Sequence, residues 1–422
     1  MRFSISRFTL VLVMSGVAFA TLSPVSAQAQ ASFEILPFTD ANGRGSTSLL
    51  DLSGDGQTVI GRQREIYNSR FSRDVPVRWD VGVGLTPLSP GVDLEERPFY
   101  PETPFGISAD GSTIVGRFRN GIPATGTQAT ALRDGQPRLP ILTDPGSALT
   151  DASADGSVLI GGRSPQNLRP GNEGFLWDAT NGVRDLQDLT GVTDSIGARA
   201  ISDDGTLVVG TVFPDPMVLN GSRGYSWSEE AGYVELPALS DGLDSFVLDV
   251  SGDGSTIVGF SGAGGVFGLR ATKWTDEGAT MLPGAREEVT TRFGTLYADV
   301  SPYSADAASY DGSVIAGQAD LGGLAGAYIY FGESDETRLL RELLIDNGAA
   351  DAADWDLITA TNLSADGRVV TGWASPQSHL QLPIEMWRQT GQYFAFRAVI
   401  PEPSTALLMG LGLLGLAGRR AS

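Results

Sequence analysis

A ten-residue pattern recurs seven times along this chain and leaves few folds open to it. Its clearest copy is Val250-Ser251-Gly252-Asp253-Gly254-Ser255-Thr256-Ile257-Val258-Gly259. The Asp-Gly step falls at Asp55, Asp110, Asp155, Asp204, Asp253, Asp311 and Asp366, with a Ser two residues before each Asp and a Gly six residues after it. Successive Asp residues lie 55, 45, 49, 49, 58 and 55 apart. A period of this size marks a repeat architecture, in which each unit is one supersecondary element.

The chemistry of the pattern is that of a β-hairpin. An apolar residue and a Ser lead into x-Asp-Gly, which suits a tight loop with Gly in the left-handed region. Asp and Ser can bond the turn's own amides. The run that follows, such as Thr256-Ile257-Val258, reads as a buried strand. The Gly that closes it suits a bulge or a close backbone approach.

A second mark follows at a nearly constant distance. Trp79, Trp177, Trp227, Trp274 and Trp387 stand 24, 22, 23, 21 and 21 residues after their Asp, and Leu132 and Tyr330 take that place in the second and sixth repeats. Each marks a further strand, and a turn and a fourth strand come next, as in Gly232-Tyr233-Val234-Glu235-Leu236-Pro237. About four strands in roughly fifty residues is the measure of a propeller blade. The expectation is an all-β chain: one seven-bladed β-propeller of four-stranded antiparallel blades over residues 32–399. The Ser-x-Asp-Gly-x-x-Val-x-Gly core resembles bacterial extracellular proteins with HAF-type repeats, and the resemblance implies this fold and an extracellular place.

Phe33 to Phe38 looks like the closing strand of a unit but precedes the first repeat, as a ring fastened by a permuted strand requires. Tyr393 to Val399 could fill the same position. Gln63 to Asp74, with Arg62, Arg64, Arg70 and Arg73 in and beside it, reads as a solvated loop. Gly262 to Gly268 is glycine-rich, but no helix follows it, so it is no phosphate cradle. Glu336 to Asn347 has helical periodicity ending at Gly348, a suitable C-cap, and is expected to cover a rim of the ring.

The two ends read as addresses. Arg2 and Arg7, the apolar Phe8 to Ala20 and the small residues around Ala27 and Ala29 form a secretory signal over residues 1–29. Residues 400–422 carry Pro401-Glu402-Pro403, an apolar run, and Arg419-Arg420. This resembles the PEP-CTERM sorting signal, which implies processing by an exosortase-type membrane transpeptidase. The apolar run from Thr405 to Ala417 would span about 20 Å as a helix, short against a ~30 Å hydrocarbon core. Arginines after such a run stay on the cytoplasmic side. The tail is therefore expected as a transient inner-membrane anchor, and the resemblance implies an exported protein bound for the cell surface or the extracellular space of a Gram-negative bacterium.

Composition narrows the partners. A net charge of −21 gives no basic face for nucleic acid or an anionic membrane. With no Cys there is no disulfide or thiol nucleophile, and a single His, His379, rules out a histidine cluster. The seven turn Asp residues are spread around a ring, so they are expected as turn devices and not as ligands or catalysts. No catalytic, cofactor or metal residue is assigned and no cofactor is expected. Two functions are expected to compete. One is a non-catalytic binding or structural module at the envelope or in a biofilm matrix, with extracellular polysaccharide or a surface protein as partner. The other is a secreted carbohydrate-active enzyme, a polysaccharide hydrolase or lyase, using a carboxylate pair. Two or more acids and an aromatic gathered at one mouth of the channel would favour the enzyme.

Overall fold

The structure, a computed structural model, describes residues 30–38, 49–68, 71–88, 102–119, 127–163, 173–214, 221–264, 268–291, 294–376 and 393–401. Each repeat forms an antiparallel meander, as in Leu49–Leu52, Thr58–Asn68, Phe71–Asp80 and Gly84–Pro87 of the first. The strand before the Asp-Gly turn is innermost. Each inner strand touches the next, and the seventh touches the first, so the chain closes into a β-propeller.

It is not a propeller of seven four-stranded blades. Six hydrogen-bonded sheets are present among the described residues. Five of them stand as single blades, four with four strands and one with five, while the third and fourth repeats run together into one sheet of eight. The join is a parallel bridge between Glu173 and Ile196. It forms at Gly174, where a Cβ would lie 2.9 Å from the Ile196 carbonyl oxygen. The fifth strand of the larger blade comes from a hairpin, Ala285–Thr291 against the first half of Gly294–Ala308.

The sevenfold order of the sequence is kept in the turns. Gly54 N–H donates to the Ala109 carbonyl (2.9 Å), Asp110 to Ala154 (3.0 Å), Ala154 to Asp203 (2.9 Å) and Asp203 to Gly252 (2.9 Å). Asp253 donates to Tyr310 (2.8 Å), Tyr310 to Ala365 (2.8 Å), and Ala365 back to Gly54 (2.7 Å). These bonds link the seven turns head to tail around the axis.

Every inner strand is also bulged, at register shifts such as Leu49/Asp51, Pro104/Gly106 and Val247/Asp249. A bulge adds a residue and bends the strand, and here it drives a carbonyl against the repeat glycine opposite. A Cβ on Gly259 would lie 2.0 Å from the Phe246 oxygen, and one on Gly372 2.0 Å from that of Thr359. Only glycine fits there.

The ring is fastened by both strands proposed for the purpose. Phe394–Val399 is the third strand of the last sheet, and Ser32–Ile35 pairs on its outer edge, with Ser32 opposite Val399. The closing strand ends at Ile35, and Leu36 and Phe38 are buried in the first blade's core. The segment expected as a basic loop is mostly a long hairpin, paired from Thr58↔Asp80 out to Asn68↔Phe71. The helix expected over Glu336–Asn347 starts late. Glu336–Leu339 is a strand on Ala325–Phe331, and the helix is Leu340–Asp346. Thr337 and Leu339 alternate inward on an otherwise unpaired sheet edge, and that pairing overrides the helical period. Leu340, Leu343 and Leu344 are buried in the joint between the sheets of the sixth and seventh repeats.

Candidate functional site

The turn residues come first, because the sequence singles them out. All seven Asp residues are exposed. Each Oδ1 accepts from the Ser two residues earlier, at 2.6 Å for Asp55, Asp110 and Asp366, 2.7 Å for Asp204, 2.8 Å for Asp253 and 3.0 Å for Asp155 and Asp311. Each also accepts the amide two residues later. Bonds from Ser157, Ser202 and Ser313 hold the carboxyls of Asp155, Asp204 and Asp311 below their ordinary range. The glycines after them have φ between +65° and +76°. The geometry is that of a self-satisfied turn, spread around the ring.

The structure gathers a different set of groups on the axis. Four residues before the turn Asp, at the second position of the bulge, stand Asp51, Asp151 and Asp249, in the first, third and fifth repeats. Each bridges to the following repeat. Asp51 Oδ2 accepts the Ile107 amide (2.8 Å), Asp151 Oδ2 that of Ile201 (3.0 Å), and Asp249 Oδ2 that of Ala308 (3.0 Å). Oδ1 of Asp51 and of Asp151 also accepts the next residue's own amide, at 2.8 Å. The second, fourth and sixth repeats have Gly106, Ala200 and Ala307 there, and the seventh has Asn362. At Gly106 a Cβ would meet the Thr150 carbonyl at 2.8 Å, so no side chain fits. Asp306, in the bulge of the sixth repeat, accepts from the Thr359 hydroxyl (3.2 Å) and so ties the sixth repeat to the seventh.

These four carboxyls are crowded by protein, yet each residue keeps some solvent exposure along the channel. Burial raises all of them, against the lowering effect of their hydrogen bonds: Asp51 to about 7, Asp249 to about 6, Asp306 to about 6, and Asp151 well above its ordinary range. Asp51 and Asp249 repel across the axis, as do Asp151 and Asp51. Arg199, from the bulge of the fourth repeat, acts in the opposite sense on Asp51, Asp249 and Asp306. Its Nε donates to the Leu248 carbonyl at 3.3 Å. At the turn end of the channel, the Tyr310 ring and the Asp203 carboxylate lean over Gly252, where a Cβ would meet Tyr310 Cδ2 at 2.5 Å and Asp203 Oδ2 at 2.8 Å. Tyr310 is 49% exposed.

Sequence reasoning missed this axial set. The signal was present, an Asp four residues before the turn Asp in alternate repeats. Among the other residues singled out, Trp79, Trp227, Trp274 and Tyr330 are buried between sheets, while Trp177 and Leu132 are half-buried. Pro401 is buried at the end of the last sheet. Glu402, Pro403, Arg419, Arg420, His379, Trp387 and residues 1–29, where a leader is expected, lie outside the described residues. A cavity of about 820 Å³ beside the Leu340–Asp346 helix is lined by Glu287, Arg338, Glu342 and Asp346. Its charges are engaged internally, Arg338 with Glu287 (3.3 Å) and with Asp346 (2.9 Å). Among the described residues no three His, Cys, Asp or Glu side chains are arranged to hold a metal ion. None of the helices among them is long and apolar enough to cross a membrane.

Residues 399–421 match the PEP-CTERM protein-sorting motif. Such signals are processed by exosortase, a membrane enzyme, and point to an exported protein with a C-terminal sorting tail. No curated protein sequence matches the chain. Among solved structures, TolB from Acinetobacter baumannii is similar at 14% identity, over 69% of this chain and 62% of that one, with a TM-score of 0.39. The β-propeller domain of the Trilobed protease from Pyrococcus furiosus is similar at 10% identity, over 79% of this chain and 91% of that one, with a TM-score of 0.48. For an acylaminoacyl peptidase from Pyrococcus horikoshii the values are 10%, 81%, 51% and 0.46. The chain thus spans 62% of the length of that TolB and about half of the peptidase. Likenesses of this strength transfer neither activity nor ligand.

Proposed function

We infer that the chain is an exported envelope protein whose propeller is a non-catalytic binding or structural module, delivered to the cell surface by processing of its tail. The observation that carries this is the sorting motif at residues 399–421, joined to the last strand of the ring without a linker. The leader over residues 1–29 and the HAF-type repeat core fit the same destination. The axial carboxylates support the non-catalytic part. Asp51, Asp151, Asp249 and Asp306 each hold a neighbouring repeat through a hydrogen bond, and a general acid or base needs a free path to substrate. Extracellular polysaccharide or a surface protein is the partner class.

Replacing Pro401-Glu402-Pro403 with alanines tests the delivery. Full-length, folded protein should then remain in the inner membrane, and unchanged delivery to the surface would refute the reading. The second reading, a secreted polysaccharide hydrolase, has in its favour the exposed Tyr310 beside Asp203 at the mouth of an acidic channel. Reducing sugar released from the producing cell's own polysaccharide, and lost in Asp203→Asn, would establish it instead.

A further inference from the structure

We propose that Asp203 and Tyr310, at the turn end of the channel, form a subsite for one uncharged sugar unit of an extracellular polysaccharide. The proposal rests on the propeller being a non-catalytic binding module with polysaccharide as its partner, as inferred above. Its ground is that the seven turns are alike except in one place. The residue between Ser and Asp of each turn supplies the carbonyl of a turn-to-turn bond, so these residues form a collar around the channel end. Five of them are Gly or Ala, and the other two are Asp203 and Tyr310. They belong to the fourth and sixth repeats and flank Gly252 of the fifth.

The two side chains meet over that glycine. Tyr310 Cδ2 and Asp203 Oδ2 lie 2.5 Å and 2.8 Å from the place a Cβ on Gly252 would take, close enough for one sugar ring to touch both. Neither has spent its hydrogen bonds. Each turn carboxylate accepts from its own turn, and each axial carboxyl accepts from the following repeat. Among the described residues the Asp203 carboxylate accepts no hydrogen bond, and the Tyr310 hydroxyl makes none. Asp203 is half-buried, and that burial, with Asp204 beside it, holds its carboxyl above the ordinary range.

A tyrosine ring offers an apolar face at low conformational cost, with a hydroxyl at its tip. A free carboxylate accepts charge-assisted bonds from neighbouring hydroxyls, the stronger kind. A sugar ring presents the matching pair, a face of C–H groups and a rim of O–H donors. Charge narrows the sugar. Asp203 stands between Asp204 and the axial Asp249, both of which it repels, on a chain of net charge −21. A carboxylated or sulfated unit is therefore turned away, and an uncharged one is not. An extended peptide commonly joins a free strand edge. The collar offers none, because the carbonyls of all its residues already accept turn-to-turn bonds.

The test is electrophoresis of the full-length chain, in mild detergent, through native gels that contain the producing cell's extracellular polysaccharide. Anion exchange first divides that polysaccharide into a neutral and an acidic fraction. The neutral fraction should retard the wild type. Tyr310→Ala and Asp203→Asn should each weaken the retardation about tenfold, and Tyr310→Phe, which keeps the ring, about threefold or less. Gly252→Ala should weaken it as Tyr310→Ala does, because the added methyl parts the two side chains. All four should melt with the wild type, since neither side chain holds a neighbour. Retardation that survives these substitutions overturns the subsite and leaves the polysaccharide reading standing. No retardation by the neutral fraction, or retardation by the acidic fraction alone, overturns both. Reducing sugar released from the neutral fraction overturns the non-catalytic reading and the subsite with it.

Discussion

Substituting Asp51 by Ala should destabilise the ring in acid and do so less, or not at all, near neutrality. In acid the neutral carboxyl still accepts the Ile107 and Leu52 amides at 2.8 Å each. Losing both costs about 2 kcal/mol, at roughly 1 kcal/mol per hydrogen bond. The opposing effect comes from ionisation. The folded carboxyl sits at about 7 against an ordinary 3.8, so the native state holds its proton longer than the unfolded chain does. Wild-type stability is therefore highest below pH 4 as far as this group is concerned, and falls as pH rises to about 7, where the loss is complete. At ~1.4 kcal/mol per pH step the full loss would be about 4 kcal/mol. Solvent along the channel and joint titration with Asp151 and Asp249 reduce it to about 2 kcal/mol. The variant escapes this loss. Urea unfolding of wild type and Asp51→Ala at pH 4.5, 6 and 7.5 should show a gap that closes toward neutrality. The turn carboxylates do not interfere. Asp155, Asp204 and Asp311 lie below their ordinary range, so their contribution is present above it and lost only in stronger acid. A gap that stays constant, or widens with pH, would refute the reasoning.

Other substitutions test other parts of the fold. Gly259→Ala puts a Cβ 2.0 Å from the Phe246 carbonyl oxygen and should cost about 3 kcal/mol by calorimetry, from overpacking against backbone. Gly254→Val, at φ +76°, should lower the melting temperature further than Asp253→Ala, whose lost turn bonds are worth about 1 kcal/mol. Arg397→Ala leaves the Gly56 carbonyl and Glu34 without their seam partner. It should cost about 3 kcal/mol, with hydrogen exchange rising first in Ser32–Ile35 and Phe394–Val399. Deleting residues 32–38 should lower the melting temperature of the whole ring in one transition, since the first and last sheets lose a shared wall of Leu36 and Phe38.

What the sequence discloses is local. The Ser-x-Asp-Gly turns, the repeat glycines and the fastening strand were legible because each depends on residues within one short segment. The joining of the third and fourth repeats was not, because it depends on Gly174 meeting Ile196 across a turn and a short helix. The strand Glu336–Leu339 was hidden for a similar reason. Its four residues suit a helix in isolation, and only the waiting edge of Ala325–Phe331 decides otherwise. The axial carboxylates escaped because each was read within its own repeat. Their partners, the amides of Ile107, Ile201 and Ala308, belong to the next.

Asp51, Asp151 and Asp249 each reach forward by one repeat, and the repeats that receive them have Gly106, Ala200 and Ala307 in the corresponding place. The repeats are thus coupled in twos, a donor of the carboxylate followed by an acceptor. Seven repeats cannot all be divided that way, and the last, with Asn362, is held instead by Asp306 of the sixth through the Thr359 hydroxyl. The last is also the repeat whose sheet contains the first and the last strand of the ring. The seam and the one repeat outside this carboxylate–amide pairing coincide. Lengthening or shortening such a ring one repeat at a time would strand a half-buried carboxylate against a neighbour without a fitting amide. Removing a donor and its acceptor together would not, which makes the pair, and not the single repeat, the unit by which this architecture can change size.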